Sequence, residues 1–268
     1  MSEKFIGVFD SGLGGLTCVK EIMDIMPDEP IVYFGDTGRV PYGSKSNETI
    51  IKYVKSDIKF LESFDLKMIV IACGTASAIA LPQIKDELTL PTFGVIDAAA
   101  SAATKLTKNN KIGIIGTAGS IRSGAYEKKI KEINPKISTF ARACPLFVPL
   151  VEEGHTKGKV AELVAEEYLK DVKSAGVDTL ILGCTHYPLL KETIANVMGD
   201  DVTLIDPGKV TASYVKDYLE KNSLRTNSHP EYKFFVSDYP DGFKRLASEF
   251  LQREIDSNIE KIDIEKYV

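Results

Sequence analysis

The sequence has no Lys/Arg cluster, no Cys-x-x-Cys pair, no low-complexity tract and no apolar run of membrane-spanning length. The first absence, together with a net charge of -5, argues against a nucleic-acid or anionic-membrane surface. The second argues against a structural zinc site, because the four cysteines (Cys18, Cys73, Cys144, Cys184) lie far apart in the chain. The last excludes a transmembrane helix. The segment Met-Ser-Glu-Lys-Phe-Ile-Gly-Val-Phe-Asp enters a strand directly and has no signal-peptide h-region, so the expectation is a cytoplasmic protein with free thiols. A hydrophobic share of 44% over 268 residues is ordinary for a globular chain and supports one large or two medium domains.

Two short stretches organise what is present. Met68 to Ala78 reads Met-Ile-Val-Ile-Ala-Cys-Gly-Thr-Ala-Ser-Ala, an apolar strand that ends at Cys73 and leads into a helix. Thr179 to His186 reads Thr-Leu-Ile-Leu-Gly-Cys-Thr-His, again a strand that ends at a cysteine, with Tyr187 and Pro188 opening the next helix. Open α/β sheets bind ligands at such strand ends. A helix amino terminus favours negative charge, so the expectation is a thiol of lowered pKa at each position.

Other elements fit an α/β chain. Phe5 to Phe9 predicts a strand and Asp10-Ser11-Gly12-Leu13-Gly14-Gly15 a glycine turn, followed by a helix from Leu16 to Met26. Counted from Gly12, the sixth position is Thr17 where the dinucleotide fingerprint needs glycine, so the glycines are expected to admit a small ligand instead. Ile31 to Phe34 predicts a second strand, with a turn-rich loop from Gly35 to Gly43. Asn47 is expected to cap a helix with Ile51, Val54, Ile58 and Leu61 on one face. Helices are expected over Ala76–Leu88 with Pro82 near the start, Ala98–Leu106, Ile121–Ile133 and Lys159–Lys173, the last with Val160, Leu163, Val164, Tyr168 and Val172 as its apolar face. Strands are expected at Thr92–Ile96, Ile137–Ala141 and Val202–Ile205, and Cys144 to Gly154 reads as a loop. Beyond Asp206-Pro207-Gly208 come a helix to Lys221, a strand Lys233–Ser237, a helix from Asp241 to Leu251 and a charged tail. Cys18 and Cys144 read as small buried hydrophobes.

Lys-Ile-Gly-Ile-Ile-Gly-Thr-Ala-Gly from Lys111 resembles the first strand and turn, matching Gly7 with Gly113 and Ser11 with Thr117. The chain therefore divides into two pseudo-symmetric α/β domains with parallel-rich sheets and a cleft between them. Residues 1–97 with 208–268 form the expected first domain, which carries Cys73, and 98–207 the second, which carries Cys184. Three readings of the two cysteines compete: buried core residues, a thiol hydrolase, or opposed acid and base groups on a carbon acid. A hydrolase needs a base and an oxyanion hole, and His186, two residues from Cys184, is poorly placed for the usual nucleophile–base geometry. Proton transfer on two faces of one carbon explains the duplication, because inversion has two mirror-related half reactions and needs no carrier cofactor. Asp10 would relay for Cys73, and His186 or Glu152 for Cys184. Hydroxyls of Ser11, Thr75, Thr117 and Thr185 suit a carboxylate.

Taken in order, Asp10-Ser11-Gly12-Leu13-Gly14-Gly15, Gly35-Asp36-Thr37 with Pro41-Tyr42-Gly43, Ala72-Cys73 with Thr75-Ala76, Pro149-Leu150-Val151-Glu152 with Gly154, and Gly183-Cys184-Thr185-His186-Tyr187-Pro188 resemble the glutamate racemases of the aspartate/glutamate racemase superfamily. Phe243–Leu251 also resembles that family. The resemblance implies an active site between two domains, cofactor-independent interconversion of L- and D-glutamate for peptidoglycan synthesis, and a monomer or homodimer. It carries the catalytic pair onto Cys73 and Cys184, with Cys73 acting on the D-isomer and Cys184 on the L-isomer. Substrate contacts fall on Asp10, Ser11, Pro41, Tyr42, Gly43, Gly74, Thr75, Thr185 and His186. Many family members carry asparagine where this chain has Gly74, which leaves only a backbone N–H there. His186 points to glutamate rather than aspartate. The alternatives are another amino-acid racemase of the superfamily and a non-catalytic amino-acid-binding protein.

Overall fold

The computed structural model describes residues 4–226, 230–239, 243–254 and 259–268. In chain order the strands and helices are β1 (Phe5–Asp10), α1 (Leu16–Ile25), β2 (Ile31–Gly35), α2 (Asn47–Leu61), β3 (Leu66–Ile71), α3 (Gly74–Ile79), α4 (Leu81–Ile84), β4 (Thr92–Gly94), α5 (Val95–Leu106), β5 (Lys111–Gly116), α6 (Ala118–Ser123) and α7 (Ala125–Ile133). They continue with β6 (Ser138–Ala143), α8 (Phe147–Glu152), α9 (Lys159–Ser174), β7 (Thr179–Gly183), α10 (Lys191–Met198), β8 (Thr203–Ile205), α11 (Pro207–Lys221), β9 (Tyr232–Val236), α12 (Phe243–Leu251) and β10 (Ile259–Lys261). The expected start of the last helix at Asp241 lies outside the described residues.

Two parallel sheets result. One has the order β10-β9-β2-β1-β3-β4 and the other β6-β5-β7-β8. Relabelled from their first strands, both contain the order 2-1-3-4, so β1 matches β5 and β3 matches β7. Parallel strands need helical crossovers that cover the sheet faces, which is why these strands read as unbroken apolar runs. β1, β2, β3 and β7 are buried along their whole length.

After α11 the chain returns to the first sheet: β9 pairs with β2, and β10 pairs with β9. Phe60 on α2 anchors this return, with ring centroids 5.3 Å from both Phe235 and Tyr267. Truncating a buried ring of this kind costs about 3–5 kcal/mol. At the opposite end of the sheet the buried Lys67–Glu29 pair, with Arg225 2.8 Å from Glu29, ties β3 to the segment after α11. The sheets meet through helices, with α1 on α11, α11 on α5 and α5 on α7. Apolar residues of both sheets share continuous clusters, so Ile6 and Tyr33 join Leu180 and Leu182 in one of them.

Several local expectations change. Ser46, not Asn47, caps α2, its hydroxyl accepting the Thr49 N–H at 3.3 Å, and the buried face is Ile50, Val54, Ile58 and Leu61. The helix expected over 76–88 starts at Gly74 and breaks at Ala80, because Pro82 lacks an N–H and crowds the preceding turn. The helix expected from Ile121 starts at Ala118 and is interrupted by Gly124, whose φ of 64° ends α6 in the left-handed region. Cys144 to Gly154 is not a plain loop but holds α8, with Phe147 and Val151 one turn apart and buried. On α9 the buried stripe is Ala161, Ala165, Leu169 and Val172, whereas Val160 and Leu163 are each 55% exposed. Small alanines let α9 approach β6 and α10 closely, so packing overrides the wider apolar pattern.

Candidate active site

In a sheet of order 2-1-3, the strand order reverses between strands 1 and 3, and their carboxyl ends frame a crevice. Here those ends deliver Ser11 after β1 and Cys73 after β3 in one sheet, and Thr117 after β5 and Cys184 after β7 in the other. Both crevices open onto one cavity of ≈ 550 Å³ between the sheets. The cavity wall includes Ser11, Cys73, Thr75, Thr117, Cys184 and Thr185.

Cys73 caps the start of α3, its sulfur accepting the Ala76 N–H at 3.4 Å and donating toward the Ser11 hydroxyl at 3.5 Å. Despite that helix end, burial and the nearby Asp10 carboxylate push this thiol up to about 12. The expected lowering is overturned for Cys73, because desolvation penalises a buried thiolate more than the hydrogen bonds from Ser11 and Ala76 favour it. Asp10 is buried behind the glycine turn, accepts the Gly12 N–H at 3.0 Å and does not line the cavity. Burial also raises its carboxyl, against the charge of His186 and the turn's N–H groups.

Cys184 has a different neighbour. His186 Nδ1 lies 3.9 Å from the Cys184 sulfur, and its Nε2 lies 3.1 Å from Glu152 on α8. The short spacing therefore does bring the ring to the sulfur. The tight turn after β7, with the Tyr187 N–H donating to the Cys184 carbonyl at 3.1 Å, folds His186 back over Cys184. Burial disfavours the imidazolium, but the hydrogen bonds and negative charge of Cys184 and Glu152 outweigh it and raise His186 to about 10. Phe250 on α12 packs edge-on against this ring at 5.1 Å.

The glycine turn reaches the cavity at Gly12 and has a packing role as well. A Cβ on Gly14 would sit 2.2 Å from the Thr185 hydroxyl and 2.7 Å from His186, so the missing side chain lets the turn close on the opposite half of the molecule. Gly74 repeats the theme, since a Cβ there would stand 2.6 Å from the Gly183 carbonyl. The backbones on the two cysteine-bearing segments thus touch where an asparagine would not fit without movement.

Hydroxyls bridge the halves. Thr75 Oγ1 and Thr117 Oγ1 are 2.9 Å apart, and Ser120 Oγ lies 3.3 Å from the first and 3.0 Å from the second. Pro41, Tyr42 and Gly43 form another wall. Tyr42 is buried, with its hydroxyl bonded to Asp36 and 2.9 Å from Asp57, and Arg39 is paired with both carboxylates. Of the residues expected at the site, only Asp10 stands off the cavity lining. Residues missed from sequence include Val148 on α8 and Arg122 on α6. Arg122 would have been found had the helix been started right after Thr117, since it then falls on the same helical face as Ala118. Among the described residues no group of three His, Cys, Asp or Glu is arranged to hold a metal ion, and no helix is long and apolar enough to cross a membrane.

Comparison with known proteins gives a consistent picture. A family model for Asp/Glu/Hydantoin racemase matches residues 17–215. The chain is 49% identical over 253 residues to a glutamate racemase of Geobacter metallireducens, covering 94% of each. A solved glutamate racemase from Francisella tularensis subsp. tularensis in complex with D-glutamate superposes with a TM-score of 0.93 at 42% identity, over 100% of both chains. A glutamate racemase isoform from Bacillus anthracis gives a TM-score of 0.94 at 37% identity over 98% of both. With two matched parallel sheets, a cysteine at the same strand end of each, and this likeness over its full length, the chain belongs to the Asp/Glu/hydantoin racemase family and stands among its glutamate racemases.

Proposed function

We propose that the protein interconverts L- and D-glutamate by two-base proton transfer between Cys73 and Cys184, with no carrier cofactor. The observation that supports this most is that equivalent strand ends of two like sheets present one cysteine each to a single cavity. From the L-isomer, the Cys184 sulfur takes the α-proton, the electron pair moves into the α-carboxylate, and the Cys73 thiol returns a proton to the opposite face. The D-isomer follows the reverse course. Each turnover leaves the two sulfurs with their protonation exchanged, so solvent must reset them before the next.

The charge around each sulfur suits this assignment. Cys73, held as a thiol by burial and Asp10, is the donor at rest. Cys184 has beside its sulfur, at 3.9 Å, the ring of His186, which is raised to about 10. The Ser11, Thr75, Thr117 and Thr185 hydroxyls and the Gly74 N–H would hold the α-carboxylate, while Pro41, Tyr42 and Gly43 close the wall. Asp10, His186 and Glu152 act through the sulfurs as relays and positioning groups. Domain limits of 1–97 with 208–268 and 98–207 follow from the same reading, as do a cytoplasmic location and a supply of D-glutamate for peptidoglycan.

The test is circular dichroism of L- and D-glutamate incubated with purified protein and no added cofactor, alongside a panel including aspartate. Racemisation of both isomers is expected, with Cys73→Ser and Cys184→Ser each reducing it by about 10²–10⁴-fold. Undiminished racemisation in both variants would sink the two-thiol mechanism, and faster turnover of aspartate would overturn the substrate assignment.

A further inference from the structure

We propose that Phe250 is a positioning residue that holds the His186 ring beside Cys184, an inference that rests on the glutamate racemase reading above. The two rings meet edge-on, with centroids 5.1 Å apart and planes at 83°. Both side chains are buried. They come from distant parts of the chain. His186 follows β7 in the second sheet, whereas Phe250 lies on α12, which packs on α1 beside the first sheet. Phe250 is not on the wall of the cavity, so any effect it has on the reaction passes through the ring it touches.

Local structure alone does not fix that imidazole. The χ2 torsion of histidine is broad and roughly two-fold, so it leaves the ring free to turn Nδ1 away from the sulfur. The polar contacts on that side are long, with Nδ1 3.9 Å from the Cys184 sulfur and 3.5 Å from the Thr185 hydroxyl. On the other side Nε2 meets Glu152 at 3.1 Å, but that carboxylate is half exposed and water competes for it. Packing supplies what these contacts lack. A Cβ on Gly14 would stand 2.7 Å from Nδ1 and 2.8 Å from Cε1, so the glycine turn already closes one edge of the ring. Phe250 closes another side, and a perpendicular neighbour in contact opposes rotation about χ2. A phenyl ring also keeps water off the imidazole without offering it a competing donor or acceptor. The helix is patterned to deliver this ring. Leu246, Ala247, Phe250 and Leu251 recur at helical spacing and are buried in one apolar cluster with the inner face of α1, while the other side of α12 is charged and exposed.

A double-mutant cycle on wild type, Phe250→Leu, His186→Asn and the double variant tests this, with kcat from L-glutamate as the readout. Phe250→Leu keeps an apolar side chain in place and a thermal melt checks its folding, with Phe250→Met as the second variant should the first not fold. With His186 present, Phe250→Leu is expected to lower kcat by about five- to a hundredfold, the scale of misplacing a group beside the reacting atoms. With His186→Asn already in the chain, the same substitution should cost little, because its effect runs through a ring that is no longer there. Coupling is read as the ratio of the two losses: a ratio of about threefold or more supports the proposal, and a smaller one makes Phe250 merely structural and overturns it. A crystal structure of Phe250→Leu adds a readout independent of turnover. The His186 ring should be turned from its wild-type orientation, and an unmoved ring overturns the proposal. Failure of wild type to racemise glutamate would instead sink the function reading, and the ring orientation in the two proteins would then decide the role of Phe250 by itself.

Discussion

Cys73 and Cys184 sit at corresponding strand ends of two sheets with the same strand order, yet their surroundings carry opposite charge. Behind Cys73 lies the buried Asp10 carboxyl, and the near hydrogen-bond partner is the neutral Ser11 hydroxyl. Beside Cys184 lies the His186 ring, braced from outside by Glu152. Asp10 and His186 also feel each other's charge across the glycine turn, which links the two halves electrostatically. The shared strand order thus supplies the symmetric part of the site, one cysteine at the matched strand end of each sheet. The groups beside the sulfurs break that symmetry, a buried carboxyl and a hydroxyl at Cys73 against an imidazole at Cys184.

The largest expected effect comes from removing one sulfur at a time. Each Cys→Ser variant should lose about 10²–10⁴-fold in racemisation, but each should still exchange the α-proton of one isomer with solvent. In D₂O, followed by proton NMR, Cys73→Ser should label L-glutamate and Cys184→Ser should label D-glutamate. The opposite pattern would reverse the assignment of faces.

Next is His186→Asn, which should lower turnover by about tenfold or more, the scale of losing a charge-assisted contact worth about 1.5–3 kcal/mol. L- and D-glutamate have equal free energy in water, so kcat/KM must stay equal in the two directions. The asymmetry should therefore appear as a greater fall in kcat from the L-isomer, with a compensating change in KM. Identical losses of kcat in both directions would remove the distinction between the two halves.

Gly74→Ala tests how closely the halves must approach. A Cβ 2.6 Å from the Gly183 carbonyl forces a backbone shift, for which a loss of about 1–3 kcal/mol is expected in chemical denaturation. A variant as stable as wild type would mean that the two segments separate at little cost.

The smallest effect concerns pH and stability. His186 is raised from 6.5 to about 10, so the folded state binds its proton more tightly than the unfolded chain. The stabilisation it adds is therefore complete below about pH 6.5 and is lost as pH rises toward 10. Melting temperatures of wild type and His186→Asn should differ most in the lower range and converge near pH 10. A difference that does not vary between pH 6 and 10 would show that His186 holds no extra proton in the fold.

Much of this arrangement is written locally. The unbroken apolar runs before Cys73 and Cys184, each closed by a cysteine and a helix start, locate both buried strands and both crevice residues, because a strand buried on two faces leaves that trace in any sequence. Less was legible where packing chose between equal local patterns. The α9 face turned toward its alanines, α8 was hidden by Pro145 before it and Pro149 within it, and β10, a three-residue edge strand, lacks the apolar run that marks a central one. At the site, sequence spacing left open whether His186 or Glu152 stands next to Cys184, and gave no sign that Gly14 lets the turn close on Thr185 and His186.

By itself, then, the sequence determined a doubled α/β chain with a cysteine at each matched strand end, since apolar period, glycine turns and cysteine position are local properties of the chain. Only the tertiary structure decided what each sulfur faces. The charge on Asp10 and His186, the contact of Gly74 with Gly183 and the reach of Arg122 into the cavity arise where segments distant in sequence meet, and burial there overrode the helix-end effect that would have lowered the Cys73 thiol.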